Sequence, residues 1–395
     1  MEVKQIYDLV NAATTETLGQ ENILEENLGN LVDVGEQVMN ANSMDKYVRS
    51  LVDHIGKVIF VNRTYNGVAP SVLRDGWEYG AVLEKITAQL PQATENESWE
   101  LQDGTSYDPN IFYKPSVSAK FFNKRTTWEI PLSFTEMQAR GSFSSASQMN
   151  GFLSMLHTAV ANAKTIKTSD MIMRTINNMI GETLYDYYSV GSTYEGAGNT
   201  RAVNLLSMFN TKFSKTLTPE AAVTDLDFIK FAGYIMSLYQ DRLKKMSTLF
   251  NIGGQPRFTP KDRLHTILLS EFSQAAGVYL QSTTFHDSLV KLPESETVPY
   301  WQGVKGAVSS NPYDLANTGR IDIDLATDPT HHVQSPTILG VMFDRDALGV
   351  CNENQRVTTN YNPKAEFFTN WYKVDTGYFN DLNENFVVFY AQKDS

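Results

Sequence analysis

The sequence predicts an α+β chain, and three observations carry that expectation. The first is a stretch from Ser142 to about Tyr187 that holds no proline. Its apolar residues fall at Met149, Phe152/Leu153, Leu156, Val160 and Ala163, then Ile166, Ile172/Met173, Ile176, Met179/Ile180 and Leu184. That three-and-four spacing lays one stripe along one side of a helix. The second is a region from Gly76 to Phe134 in which a period of two replaces the helical period. The third is a C-terminal half where helical and strand patterns alternate, as in an α/β or α+β body.

In chain order, residues 1–42 are polar and broken by Gly19, Gly29 and Gly35. Their short apolar pieces lack a core pattern, so they read as an extended arm that orders on a partner surface. Ser43 is placed to cap a helix with the face Met44, Tyr47/Val48, Leu51/Val52 and Ile55, stopped by Gly56. Lys57 to Asn62 then reads as a buried strand, and Asn66-Gly67 as a turn. Tyr79 to Thr87 alternates as a strand, and the polar stretch after it holds Trp99 and Tyr107. Ser116 to Phe134 reads as two strands around Asn123-Lys124-Arg125, with Val117, Ala119 and Phe121 on one and Trp128, Ile130, Leu132 and Phe134 on the other. A two-stranded ribbon is marginal alone, and aromatics on it point to a neighbouring subunit.

Ser145 with Gln148 has the form of a capping box for the long helix, and Ser169-Asp170 marks a second N-cap or a bend. Unbroken from Ala146 to Tyr185, the helix would run about 60 Å. Beyond a glycine-bearing loop from Ser189 to Arg201, a helix is expected near Asp225–Lys245, with Thr218-Pro219-Glu220 as a start signal. Strands are expected at Arg263–Leu269, Thr297–Trp301, Thr337–Phe343 and Asn385–Tyr390, with a short helix from Phe272 to Leu280.

Composition narrows the function. The 395 residues are 42% hydrophobic and 11% aromatic and carry a formal charge of −12. They are numerous enough for two or three cores. An acidic chain is a poor sequence-independent binder of nucleic acid, because phosphate contacts depend on Lys and Arg. The single cysteine, Cys351, permits no disulfide framework within the chain. No apolar run approaches the ~20 residues of a membrane span. The N-terminus has neither the basic flank nor the apolar centre of a secretion signal.

Chemistry is sparse. No phosphate-cradling glycine loop ending in Gly-Lys-Ser/Thr occurs, and no His-Glu-x-x-His. Gly196-Ala-Gly198 has Arg201 where a dinucleotide fingerprint needs its third glycine. His286-Asp287-Ser288 holds triad residue types, but adjacent residues cannot adopt triad geometry. The sequons at Asn62 and Asn96 carry no weight without a secretion signal. Asp322, Asp324 and Asp328 beside His331-His332 are cation ligands by type, yet a two-residue spacing on a strand is also what a solvated face looks like. No catalytic, cofactor or metal site is assigned.

The ordered set Leu51-Val-Asp-His-Ile-Gly56, Asp108-Pro-Asn-Ile-Phe112, Arg263-Leu-His-Thr-Ile-Leu268, Val341-Met-Phe-Asp-Arg-Asp346, and Asn362-Pro-Lys through Trp371-Tyr372 to Phe386-Val-Val-Phe389 spans nearly the whole chain. In that order it resembles the tailed-bacteriophage major capsid proteins of the Hong Kong 97 fold, and is most similar to the small podophage type. Some podophage relatives continue into an immunoglobulin-like domain, which does not follow Ser395 here. The resemblance implies an N-terminal arm with entry helix and strand (1–75), a β-ribbon E-loop (76–135) and a peripheral domain with the spine helix (136–199). An axial α/β domain (200–364) and strands returning to the peripheral domain (365–395) would follow. It further implies no enzyme and no cofactor. The expected role is a virion protein, assembled in the host cytoplasm, that forms hexamers and pentamers in an icosahedral or prolate shell. Scaffolding and portal proteins are the implied partners, with packaged double-stranded DNA enclosed without sequence-specific binding, and no membrane. Trp99, Phe121 and Trp128 are the candidate subunit-interface residues. The rivals are a soluble hydrolase-like enzyme using the acidic cluster near Asp322, and a bacterial nanocompartment subunit of the same fold.

Overall fold

In the computed structural model of the chain, the described residues are 3–19, 24–25, 28–40, 44–61, 67–74, 83–88, 117–188, 193–281, 292–302 and 314–395, with isolated positions between 93 and 114. Ser43, Trp99, Tyr107, the sequons at Asn62 and Asn96, and His286-Asp287-Ser288 lie outside them. The first half of the chain runs α1 (Val3–Leu18), α2 (Leu31–Asn40), α3 (Met44–Val61), β1 (Leu73–Arg74), β2 (Leu83–Ala88), β3 (Val117–Phe122), β4 (Arg125–Thr135), α4 (Glu136–Ser142) and α5 (Ala146–Tyr188). The second half runs β5 (Ala202–Asn204), α6 (Leu205–Phe213), α7 (Pro219–Ala222), α8 (Leu226–Leu243), β6 (Leu264–Leu269), α9 (Ser270–Gln281), β7 (Glu296–Val298) and α10 (Leu315–Thr318). It ends in β8 (Asp322–Asp324), β9 (His332–Gln334), β10 (Thr337–Asp344), β11 (Leu348–Asn362), β12 (Phe367–Asn380) and β13 (Phe386–Ala391). Helices and sheets are mixed as expected for the α+β class.

Helix α5 is one uninterrupted element of 43 residues, or roughly 65 Å at 1.5 Å per residue. Ser145 marks its start, its hydroxyl accepting from the Gln148 amide at 3.2 Å. The break expected at Ser169-Asp170 does not occur. The apolar stripe keeps helical register through that point, with Met171 and Ile172 buried just beyond it. A serine followed by an aspartate is a cap only when the preceding turn ends, and here the turn continues.

Two cores sit at the two ends of α5. In the first, its N-terminal half (Met149, Leu153, Leu156, Val160) packs with α1, α2 and α3 and with Phe134, Phe368 and Tyr372 of a four-stranded sheet. That sheet has the order β1-β11-β12-β4. In the second, Ile172, Ile176, Ile180 and Leu184 pack with α6, α8 and α9 and a five-stranded sheet of order β5-β13-β10-β6-β7. Strands β10 and β13 are buried at every residue, which is why Thr337–Phe343 and Phe386–Tyr390 read as continuous apolar runs. Gly340 is required by this closeness. A Cβ there would lie 2.5 Å from Leu268 Cδ2 and 2.9 Å from the Ile267 carbonyl oxygen.

Three expectations are corrected by this architecture. Val3–Leu18 and Leu31–Asn40 are helices, not parts of an extended arm: Leu9, Val10 and Ala13 of α1 and Leu31, Val34 and Val38 of α2 are buried in the first core. Their stripes are narrow, so the polar residues between them hide the pattern. Lys57–Val61 is the last part of α3, not a strand, and Gly56 does not stop that helix; an interior glycine costs about 1 kcal/mol, which packing elsewhere along α3 outweighs. β3 does not hairpin with β4 but pairs with β2, while β4 pairs along its length with β12. Asn123-Lys124 lacks the glycine that a tight hairpin favours. In the two large sheets, β12 contributes Phe368 and Tyr372 to the first core, and β13 lies between β5 and β10 in the sheet of the second.

Candidate interface ribbon and its anchor

Strands β2 and β3 form a two-stranded antiparallel ribbon that belongs to neither large sheet. Their register pairs Glu84 with Phe121, Lys85 with Lys120, Ile86 with Ala119 and Thr87 with Ser118. Residues directly opposite share a face. One face therefore carries Ile86, Val117, Ala119 and Phe121, and the other carries Lys85, Lys120 and Phe122.

The two faces meet different surroundings. Ile86 is 64% exposed, Phe121 61% and Val117 58%, so the first face is an apolar strip in solvent. Ile111 and Phe112, between the two strands in sequence, are exposed as well. The second face is attached to its own subunit. The Phe122 ring packs against Phe379 with centroids 5.3 Å apart. Lys85 Nζ donates to Asp381 Oδ2 at 2.8 Å and Glu384 Oε1 at 2.6 Å, and Lys120 Nζ donates to Asp381 Oδ1 at 2.9 Å. Arg257 Nε adds a third cation, 2.9 Å from Glu384 Oε1.

Asp381 and Glu384 stand in the turn between β12 and β13, where the Asp381 side chain is 2% exposed. Burial pushes the Asp381 carboxyl up, but the hydrogen bonds and charges of Lys85 and Lys120 outweigh it and hold it below the usual carboxylate range. The turn is itself fixed. The Asp381 amide donates to the Ala347 carbonyl at 2.7 Å, Gly253 N–H to Leu382 O at 2.9 Å, and Asn383 N–H to Asp381 Oδ1 at 3.1 Å.

The three candidate interface residues fare differently. Phe121 sits on the exposed strip. Trp128 is on β4, 8% exposed, and its indole N–H donates to Thr376 Oγ1 at 2.7 Å; it is a packing residue of its own subunit. Trp99 lies outside the described residues. The anchor residues Lys85, Lys120, Asp381 and Glu384 carried no motif. The alternation of lysines on paired strands was the one signal, and the carboxylates stand nearly three hundred residues further on.

The acidic cluster forms a second, separate arrangement. In the β8–β9 hairpin, His332 Nε2 is 2.5 Å from Asp322 Oδ1 and its Nδ1 is 2.9 Å from Asp324 Oδ1. The hydrogen bond to Asp324, then the charges of Asp322 and Asp324, raise the His332 pKa above its ordinary value. Asp328 accepts from the Thr330 hydroxyl and amide and pairs with His331 at 3.1 Å. Both carboxylates of the strand are thus occupied by one imidazole. Among the described residues no group of three or more His, Cys, Asp or Glu side chains is placed to hold a metal ion. Also among them, no helix is long and apolar enough to cross a membrane.

The family model described as Phi29-like phage major capsid protein matches residues 10–390. No curated protein sequence matches the chain. Among solved structures, the chain is similar to one in the capsid of Staphylococcus phage Andhra, at 9% identity over 84% of each chain with a TM-score of 0.45. It is also similar to one in the mature capsid of bacteriophage PhiM1, at 9% identity over 84% of this chain and 89% of that one, with a TM-score of 0.41.

Proposed function

This chain belongs to the family of Phi29-like phage major capsid proteins, and we propose that its β2–β3 ribbon is the element that reaches a neighbouring copy when subunits join. The protein's role is structural, as a component of the virion capsid, and family membership sets aside a hydrolase acting through Asp322. The finer reading is a Hong Kong 97-type subunit that forms hexamers and pentamers and encloses double-stranded DNA without sequence-specific contacts. Scaffolding and portal proteins are its proposed partners. A net charge of −12 suits a lining past which DNA slides. The first core with α5 corresponds to a peripheral domain, the second to an axial domain, and residues 76–135 to the E-loop.

The observation that carries the ribbon reading is its two-faced character: one face pinned to its own body, the other an apolar strip that includes the exposed Phe121. Large side chains central to an interface contribute most of its energy, and truncating one costs about 2 kcal/mol or more. Phe121→Ala is therefore expected to lower particle yield in electron micrographs steeply, while the isolated subunit keeps its melting temperature. Trp128→Ala is the internal contrast. It removes a buried ring and a hydrogen bond, so it destabilises the subunit by about 3–5 kcal/mol, with assembly falling alongside. Normal shells from Phe121→Ala would overturn the ribbon reading and leave family membership untouched.

A further inference from the structure

Lys85 and Lys120 are direct cross-strand partners on one face of the ribbon. Like charges so placed oppose strand pairing, and a ribbon of two strands has little stability to spare. In the structure the opposition is cancelled from outside. One carboxylate, Asp381, takes an ammonium on each of its two oxygens, at 2.8 and 2.9 Å. Glu384 takes a second bond from Lys85.

We propose that the ribbon's own strand pairing is conditional on its seating: Asp381 is at once the anchor to the body and the counterion that lets β2 and β3 stay together. Seated, the ribbon is paired and held at a fixed stance. Unseated, the two lysines face each other without an anion, and the strands part. The receiving side is rigid, fixed by the backbone hydrogen bonds of the 381–385 turn and by Arg257 on Glu384; the moving part is the ribbon. Attachment and pairing form one cooperative step, which would be two separate steps had either lysine been neutral. This device belongs to the single subunit and does not depend on what the apolar strip meets.

The test is hydrogen exchange of residues 83–88 and 117–122 in the full-length, unassembled chain, with α5 residues 171–184 as the folding control. Asp381→Asn is expected to lower protection of both ribbon strands at least ten-fold, leaving the control unchanged. Adding Lys120→Gln to Asp381→Asn should then restore protection in part, because the repulsion is gone and Lys85 keeps Glu384. An anchor made of independent bonds gives the opposite sign, since the second substitution removes another contact. Equal or lower protection in the double variant, or an unaffected ribbon in Asp381→Asn, overturns the proposal. If Asp381→Asn fails to fold, Lys120→Gln alone decides. Protection held at the parent level supports conditional pairing, and a loss of protection in proportion to the missing bond refutes it.

Discussion

His332 hydrogen-bonds Asp324 through Nδ1 and pairs with Asp322 through Nε2, and the doubly protonated imidazole is the form that both carboxylates favour. Its neighbours Asp322 and Asp324 raise its pKa above the ordinary value of about 6.5. A raised folded-state pKa contributes stability that is complete below the unfolded value and is lost as pH rises through the folded one. The β8–β9 hairpin has strands of only three residues each, and besides His332 its tip is held by Thr327, whose amide and hydroxyl donate to the Glu182 carboxylate of α5. Exchange across residues 322–334, corrected for the intrinsic rate, should therefore accelerate as pH is raised from about 6 towards 9. In His332→Gln the same profile should be flat. A parent hairpin indifferent to pH would show that the pair of contacts contributes nothing. His331 and Asp328, the other charged groups of this loop, pair with each other, and the ring of His331 packs on Tyr185 of α5 at 4.8 Å. That contact ties the loop to the long helix independently of His332.

Elements differ in how far the sequence discloses them. Helix α5 was legible because apolar residues hold one register across some forty residues, long enough for a period to stand out. α8 was legible by its apolar period, but the start signal Thr218-Pro219-Glu220 belongs to the short α7, and α8 is capped by the Asp225 carboxylate, which accepts from the Phe228 amide at 2.9 Å. β11 went largely unread, because its half-buried face carries Asn352, Glu353, Asn354 and Gln355 where a strand pattern needs apolar residues. The anchor of the ribbon was invisible for another reason: its charges are brought together by topology, not by spacing. α1 and α2 were misread for want of context. Their stripes become a core only against the faces of α3 and α5, and Gly35 of α2 packs so closely that a Cβ would lie 2.6 Å from the Phe143 side chain. Deleting residues 3–40 should uncover those faces, including Leu51, Val52 and Leu153. The expected result is a truncated subunit with a clearly lower denaturant midpoint and a tendency to aggregate. A truncated chain that unfolds cooperatively at the parent midpoint would restore the reading of these residues as a detachable arm.

At the scale of the whole molecule, two cores are joined by continuous elements and not by a flexible link. Helix α5 enters the first core through Val160 and the second from Met171 onward, with Thr168 the one buried residue in the ten between them. The β11–β12 hairpin runs the same course: Tyr372 and Phe368 serve the first core, Leu348 and Val350 the second. Midway, Lys164 Nζ donates to Gln355 Oε1 at 3.2 Å and ties helix to hairpin. A helix and a long strand pair side by side form a beam whose straightness sets the angle between the cores. In a closed shell that angle is repeated in every subunit, so a small bend accumulates where it would be harmless in a monomer. Asn162 is exposed in the free middle of α5, and Asn162→Pro would remove one backbone hydrogen bond and clash with the carbonyl four residues back, at about 3 kcal/mol. The hairpin still bridges the cores, so both should fold, with exchange protection of residues 149–156 and 171–184 kept. Shell yield should nevertheless collapse, while Asn162→Ala, which keeps the helix straight, assembles like the parent. Closed shells from Asn162→Pro at the parent yield would mean that the beam tolerates a kink, and that subunit geometry is set by the contacts between copies instead.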